Sequence, residues 1–167
     1  RPEFTVNIAL VEGGVPVFGV IYAPALAVLY WTDPHGAYKA VVPASPPQHL
    51  KGLDVQRLTT AERRAGPQTL VASRSHGSED LEAWLHTIDV GSRVNIGSSL
   101  KFCLMAEGKA DLYPRFGPTM EWDTAAGHAI AVSAGGCVTR TDGSPFLYGK
   151  CDAGYRNPGF IVWSRPR

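Results

Sequence analysis

The sequence predicts a mixed α/β protein, α+β overall, with antiparallel strands in residues 1–42 and a three-layer α/β/α domain from about residue 67. Three observations carry this. Short β-rich runs punctuated by Gly-Gly and Asp-Pro-x-Gly turns fill the start of the chain, and a stretch holding Pro43, Pro46, Pro47 and Pro67 with little apolar periodicity follows. Beyond it, strand patterns alternate with helix patterns.

Taken in order, residues 4–11 and 15–23 read as strands joined at Glu12-Gly13-Gly14, and 27–31 and 37–42 as strands joined at Asp33-Pro34-His35-Gly36. Residues 43–67 read as a connector. Then come a strand at 69–73, a helix at 79–88, a strand at 93–96, a helix at 98–107, a strand at 110–116 and a helix at 124–134, with last strands at 138–140 and 160–164. A boundary near residue 66 gives two units: 1–66, an antiparallel part plus connector, and 67–167, the α/β domain.

Composition narrows the function. With 16 basic against 15 acidic residues the formal charge is +1, so no bulk field holds a nucleic-acid duplex or an anionic membrane. An anion must be bound by a local site. Cys103, Cys137 and Cys151 are odd in number and form no CxxC, which disfavours a disulfide framework or a zinc site and fits a reducing cytoplasm. No apolar run reaches the roughly 18 residues that span a bilayer. The chain reads as cytoplasmic; peripheral contact at the inner membrane and a homodimer both stay open. Its opening, Arg1-Pro2-Glu3-Phe4-Thr5-Val6, enters a strand pattern without an initiator Met and reads as a cut end.

Three segments carry chemistry. Asp123 opens the last helix, where a carboxylate caps free backbone N–H groups; a hard cation such as Mg2+ also selects carboxylate oxygens, and one carboxylate at a loop-to-helix junction serves either role. Gly97-Ser98-Ser99-Leu100-Lys101 follows a strand and starts a helix, so Ser98 and Lys101, three apart, are placed to grip one phosphate; a serine cap beside a solvated lysine is the plainer alternative. In Asp111-Leu112-Tyr113-Pro114-Arg115-Phe116, alternation sets Leu112 and Phe116 on one side and Asp111, Tyr113 and Arg115 on the other, so Arg115 leaves the core side near the strand's end. There its planar fork either meets solvent or suits a phosphate in the crevice where α/β ligands bind. Ser73-Arg74-Ser75-His76 ends an earlier strand in a comparable place, although a structural role accounts for His76 alone.

Together these segments resemble the inositol monophosphatase superfamily, whose second signature is Trp-Asp followed by small residues, a short helix and Gly-Gly: here Trp122-Asp123-Thr124-Ala125-Ala126 with Gly135-Gly136. Within it the chain is most similar to the bacterial CysQ type of 3'(2'),5'-bisphosphate nucleotidase. That likeness runs through residues 3–10, 73–76 and 97–104. It implies a carbohydrate-phosphatase-like layered sandwich and Mg2+-dependent hydrolysis of the 3'-phosphate of 3'-phosphoadenosine 5'-phosphate to AMP. By the same resemblance Asp123 is the catalytic metal ligand, while Ser98, Lys101, Arg115, His76 and Ser73 belong to the nucleotide site. Inositol-specific relatives carry an acidic residue where Arg115 stands and an apolar one where Lys101 stands, so two cations here favour a bisphosphate nucleotide over a polyol.

The family's first metal motif, Asp-Pro-x-Asp-Gly-Thr, and its upstream Gly-Glu-Glu are missing from these 167 residues. The expectation is therefore a piece of a longer protein, with strands remaining from a truncated first domain, and inactive alone. Competing readings are an inositol or sugar phosphate phosphatase of the same superfamily, and a non-catalytic nucleotide-binding or dimerisation module.

Overall fold

Gly13 and Gly14, both at positive φ (57° and 82°), close the first hairpin of an antiparallel meander. The computed structural model describes residues 3–43, 45, 49–62, 65–72 and 79–166. The meander runs in chain order through β1 (Val6–Glu12), β2 (Val15–Ala23), β3 (Val28–Asp33), β4 (Gly36–Val41) and β5 (Val55–Leu58). Asp33 Oδ1 closes the turn between β3 and β4 by accepting the amides of His35 (2.7 Å) and Gly36 (3.1 Å).

β5 corrects the connector reading of residues 43–67. It pairs antiparallel with β4, Ala37 opposite Leu58 and Ala40 opposite Val55. Sequence patterning missed it because a four-residue edge strand buries only Leu58 and leaves Val55, Gln56 and Arg57 exposed.

The second sheet follows the strand-helix alternation. The elements from residue 68 onward are β6 (Gln68–Ala72), α1 (Glu79–Leu85), β7 (Val90–Asn95), α2 (Leu100–Ala106), β8 (Leu112–Arg115), β9 (Thr119–Met120), α3 (Glu121–Ser133), β10 (Cys137–Arg140), β11 (Arg156–Asn157) and β12 (Phe160–Trp163). The sheet order is β10-β12-β8-β6-β7, parallel where β6 meets β7 and β8, antiparallel where β12 meets β8 and β10. β9 and β11 form a two-residue ribbon too short to leave a pattern in the sequence.

The layers follow from what each face buries. On one side of the second sheet, Leu70, Leu112 and Ile161 pack with Leu81 and Leu85 of α1. On the other, Val71, Tyr113, Phe160 and Val162 meet Phe102 and Met105 of α2 and Ala125 and Ala131 of α3. The opposite surface of that helical layer receives the first sheet: Ile21, Ala23, Tyr30, Ala37 and Leu58 pack with Cys103, Ala126 and Ile130. A Cβ built on Gly19 of β2 would lie 2.4 Å from the Ala126 carbonyl oxygen, so only glycine lets the strand approach the helix backbone. Glu107 fastens the stack laterally, accepting from Tyr30 Oη (2.8 Å) and Lys39 Nζ (2.6 Å) of the first sheet. Burial opposes its charge, yet hydrogen bonds from Lys109, Lys39 and Tyr30 outweigh burial and leave the carboxyl below its ordinary pKa.

Candidate functional site

The start of α3 is fixed before Asp123 is reached. The β9–β11 ribbon delivers Met120, extended at φ −101° and ψ 152°, as the residue preceding the helix. Glu121 N–H donates to the Tyr155 carbonyl (2.9 Å), so the helix begins two residues before Asp123. The side chain of Glu121 accepts the amides of Gly149 (2.8 Å) and Lys150 (3.0 Å) and the ammonium of Lys150 (3.0 Å). Although burial raises its pKa, these donors outweigh burial and hold the carboxyl below its ordinary value. Asn157 Nδ2 donates to Thr124 Oγ1 (2.9 Å) and completes the anchor.

Asp123 is thus the third helical residue rather than the cap, and its side chain is exposed. A carboxylate in a first turn suits the helix dipole, and here it also remains accessible to a cation. Among the described residues no group of three or more His, Cys, Asp or Glu side chains gathers to hold a metal. Around Asp123 the described residues therefore offer no complete Mg2+ site.

The turn before α2 departs from a simple cap. Ser98 sits in the left-handed region at φ 55°, and the residue next to the helix is Ser99, whose side chain makes no cap bond. Instead Ser99 Oγ donates to the Asp123 carbonyl at 3.0 Å, tying the start of α2 to the first turn of α3. Gly97 N–H is taken by Glu3 Oε2 (2.8 Å), and the Ser98 and Thr5 hydroxyls share a hydrogen bond of 2.5 Å.

Lys101 is not a solvated lysine. It is only 6% exposed, its Nζ donates to the Ser98 carbonyl (2.7 Å), and it stands 5.6 Å from the Tyr113 ring centroid. Burial first, and the Arg115 guanidinium second, lower its pKa to about 8 against the opposing pull of Glu3 and Asp123. Arg115 lies half-buried at the end of β8, donating from Nε to Gly117 O (3.3 Å) and from Nη2 to Pro118 O (3.2 Å). The alternation along this strand does not separate core from solvent. Tyr113, two residues before Arg115, is 3% exposed and packs edge-on against Phe102 and Phe160. Leu112 on the other face is buried as well.

Ser98, Lys101, Arg115 and Asp123 therefore converge where α2, α3 and β8 meet, with the last two near enough for their charges to act on Lys101. Ser73 and His76 lie outside the described residues. Sequence reasoning missed Glu3, Thr5 and Tyr113 as neighbours of this cluster. The spacing of Glu3 and Thr5, two apart in an extended run, was the available signal, since it places both on one side of the chain. A cleft of about 260 Å3 lies elsewhere on α3, lined by Asn7, Trp122, Ala126 and Tyr155 among others, and takes in neither Asp123 nor Lys101.

This layered arrangement has counterparts among known proteins. A family model described as "Inositol monophosphatase family" matches residues 1–161.

The chain belongs to the inositol monophosphatase family.

It is 47% identical over 160 residues to the 3'(2'),5'-bisphosphate nucleotidase CysQ of Salmonella typhimurium, covering 96% of this chain and 60% of the relative. The CysQ of Buchnera aphidicola is 45% identical over 161 residues, covering 96% of this chain and 57% of the relative. The crystal structure of CysQ from Bacteroides thetaiotaomicron, a bacterial member of the family, superposes with a TM-score of 0.84 at 42% identity, covering 99% of this chain and 64% of that one. The chain thus spans about three-fifths of the length of these relatives. Among the described residues no helix is long and apolar enough to cross a membrane.

Proposed function

We propose that this chain is the nucleotide-recognising part of a Mg2+-dependent 3'(2'),5'-bisphosphate nucleotidase that hydrolyses the 3'-phosphate of 3'-phosphoadenosine 5'-phosphate to AMP and phosphate in the cytoplasm. The observation that carries the reading is the pairing of Lys101 with Arg115. Two cations approach closely enough for one to depress the pKa of the other, and among the described residues neither forms an ion pair. Glu3 and Asp123 act on Lys101 without forming an ion pair with it, so a further anion can still join the two cations. A 3',5'-bisphosphate brings a second phosphate for this purpose, whereas a simple monoester has none to spare.

Each residue has a distinct part in this reading. Lys101 supplies a buried point charge, Arg115 a planar fork that chelates phosphate oxygens, and Ser98 a hydroxyl at the mouth of the turn. Asp123 contributes one carboxylate to the metal centre, whose remaining ligands come from the part of the relatives' length that this chain does not span. When bound, the metal would polarise the phosphoryl group and lower the pKa of a water. The relatives named CysQ support the substrate class, and the acidic residue that the inositol-specific pattern carries at Arg115 would repel the second phosphate.

The test uses a protein of the relatives' full length. Arg115→Glu should raise KM for 3'-phosphoadenosine 5'-phosphate about tenfold or more while sparing turnover of a simple phosphate monoester, and Asp123→Ala should abolish turnover of both. An unchanged preference for bisphosphate over inositol phosphate in Arg115→Glu would make Arg115 a surface charge.

A further inference from the structure

Glu3 and Thr5 precede β1 and face the turn that leads into α2. Their contacts form a continuous path: Glu3 Oε2 accepts Gly97 N–H (2.8 Å), Thr5 shares a hydrogen bond with Ser98 (2.5 Å), and the Ser98 carbonyl accepts Lys101 Nζ (2.7 Å). The approach is close: a Cβ at position 97 would lie 2.8 Å from Glu3 Oε2 and 3.3 Å from Glu3 Cβ, so the Glu3 side chain would have to shift to admit one. Next to it Ser98 is held at φ 55°, a conformation that L-residues other than Asn and Asp adopt at some cost unless their neighbours fix it.

Among the described residues, the charged and titratable groups acting on Lys101 come from three directions: Arg115 and Tyr113 from β8, Asp123 from α3 and Glu3 from the approach to β1. Arg115 favours loss of the Lys101 proton, and the two carboxylates favour its retention. Asp123 acts through its charge alone, whereas Glu3 also holds the turn that carries Ser98. Glu3 is thus the carboxylate that both supports the ammonium and is joined to the turn from which the Ser98 carbonyl accepts Lys101 Nζ.

We propose that Glu3 is a positioning residue of the phosphate site: it fixes the Gly97–Ser98 turn and keeps the Lys101 ammonium charged and directed at the second phosphate. Glu3 itself does not touch substrate. Its negative charge beside an anion site is tolerated because the carboxylate is already engaged with the Gly97 amide. The part played by the second phosphate rests on the function proposed above; the effect of Glu3 on Lys101 does not.

The experiment separates the two. In this 167-residue chain, the Lys101 side-chain resonance, assigned with Lys101→Arg, is titrated by NMR alongside amide exchange at Gly97. In the wild type Lys101 should titrate near 8. Glu3→Gln should lower the midpoint by about one pH unit and speed Gly97 exchange about tenfold, and Glu3→Asp, which retracts the charge by one methylene, should shift the midpoint less in the same direction. A midpoint unmoved in both variants overturns the proposal, because a merely structural tether leaves the titration in place. In a protein of the relatives' full length, Glu3→Gln should then raise KM for 3'-phosphoadenosine 5'-phosphate about fivefold with kcat within twofold, most strongly above pH 7. A moved midpoint with an unmoved KM leaves Glu3 as the support of Lys101 and sinks Lys101 as a phosphate contact.

Discussion

The two sheets press against the same helical layer and differ on their other faces. The second sheet is covered on both sides, by α2 and α3 on one and α1 on the other. Among the described residues of this chain, which spans about three-fifths of its relatives' length, the first is covered on one. Val6, Ile8 and Leu10 of β1 point away from α3 and are 51%, 60% and 51% exposed, and Val20, Tyr22, Leu29 and Leu50 join Val6 and Ile8 around an apolar groove of about 350 Å3. Asn7 and Ala9 of β1 instead line the cleft of about 260 Å3 together with Ala125 and Ala126 of α3.

The sharpest way to break this contrast is to make the same substitution on each sheet. Ile161→Ala removes a fully buried side chain shared with Leu70 and Leu85 and should cost about 4 kcal/mol, whereas Ile8→Ala should change stability by less than about 1 kcal/mol. Urea melts of the two variants make the comparison. Equal losses would mean that the outer face of the first sheet is as buried as the second sheet.

The shared layer offers the next effect. A Cβ on Gly127 would stand 2.4 Å from Phe102 Cγ, inside the ring cluster that joins α2 to the second sheet. Gly127→Ala should therefore cost about 3 kcal/mol despite the better helix propensity of alanine. A smaller effect comes from His128, buried in α3 with Nδ1 3.2 Å from Tyr148 Oη. Burial lowers its pKa to about 4, so the unfolded chain binds the proton first as pH falls. The stability held by the neutral ring is complete above about 6.5 and is lost as pH falls toward 4, which amounts to about 2 kcal/mol between pH 7 and pH 5. His128→Gln should flatten that part of the pH dependence in thermal melts, and a slope as steep as the wild type's would assign it to other groups.

Much of the fold was legible because local chemistry and tertiary role agree. Gly13-Gly14 and the Asp33 turn form hairpins, β2 occupies the expected 15–23, and the alternation after residue 67 builds one sheet. What escaped depended on partners remote in sequence. β5 is recognisable only once β4 offers an edge, and Asp123 lost its cap position because the Tyr155 carbonyl, 34 positions past Glu121, starts the helix early. The couplings within the candidate site were not legible in the sequence. Lys101 and Arg115 were named from the sequence, but the burial that makes Lys101 titratable near 8, and the Glu3 and Thr5 contacts across more than ninety positions, belong to the assembled layers.

The proposed function rests on Lys101 and Arg115 reading a second phosphate, and a double-mutant cycle with two substrates addresses it most directly. In a protein of the relatives' full length, kcat/KM is measured for adenosine 3',5'-bisphosphate and for 3'-AMP, which lacks the 5'-phosphate, in the wild type, Lys101→Ala, Arg115→Ala and the double variant. The expected result is a strong preference for the bisphosphate that falls about tenfold or more in each single variant and is lost in the double, while turnover of 3'-AMP stays within a few fold throughout. A preference that survives in the double variant, or a parallel loss on both substrates, would contradict the assignment of these two cations to the second phosphate.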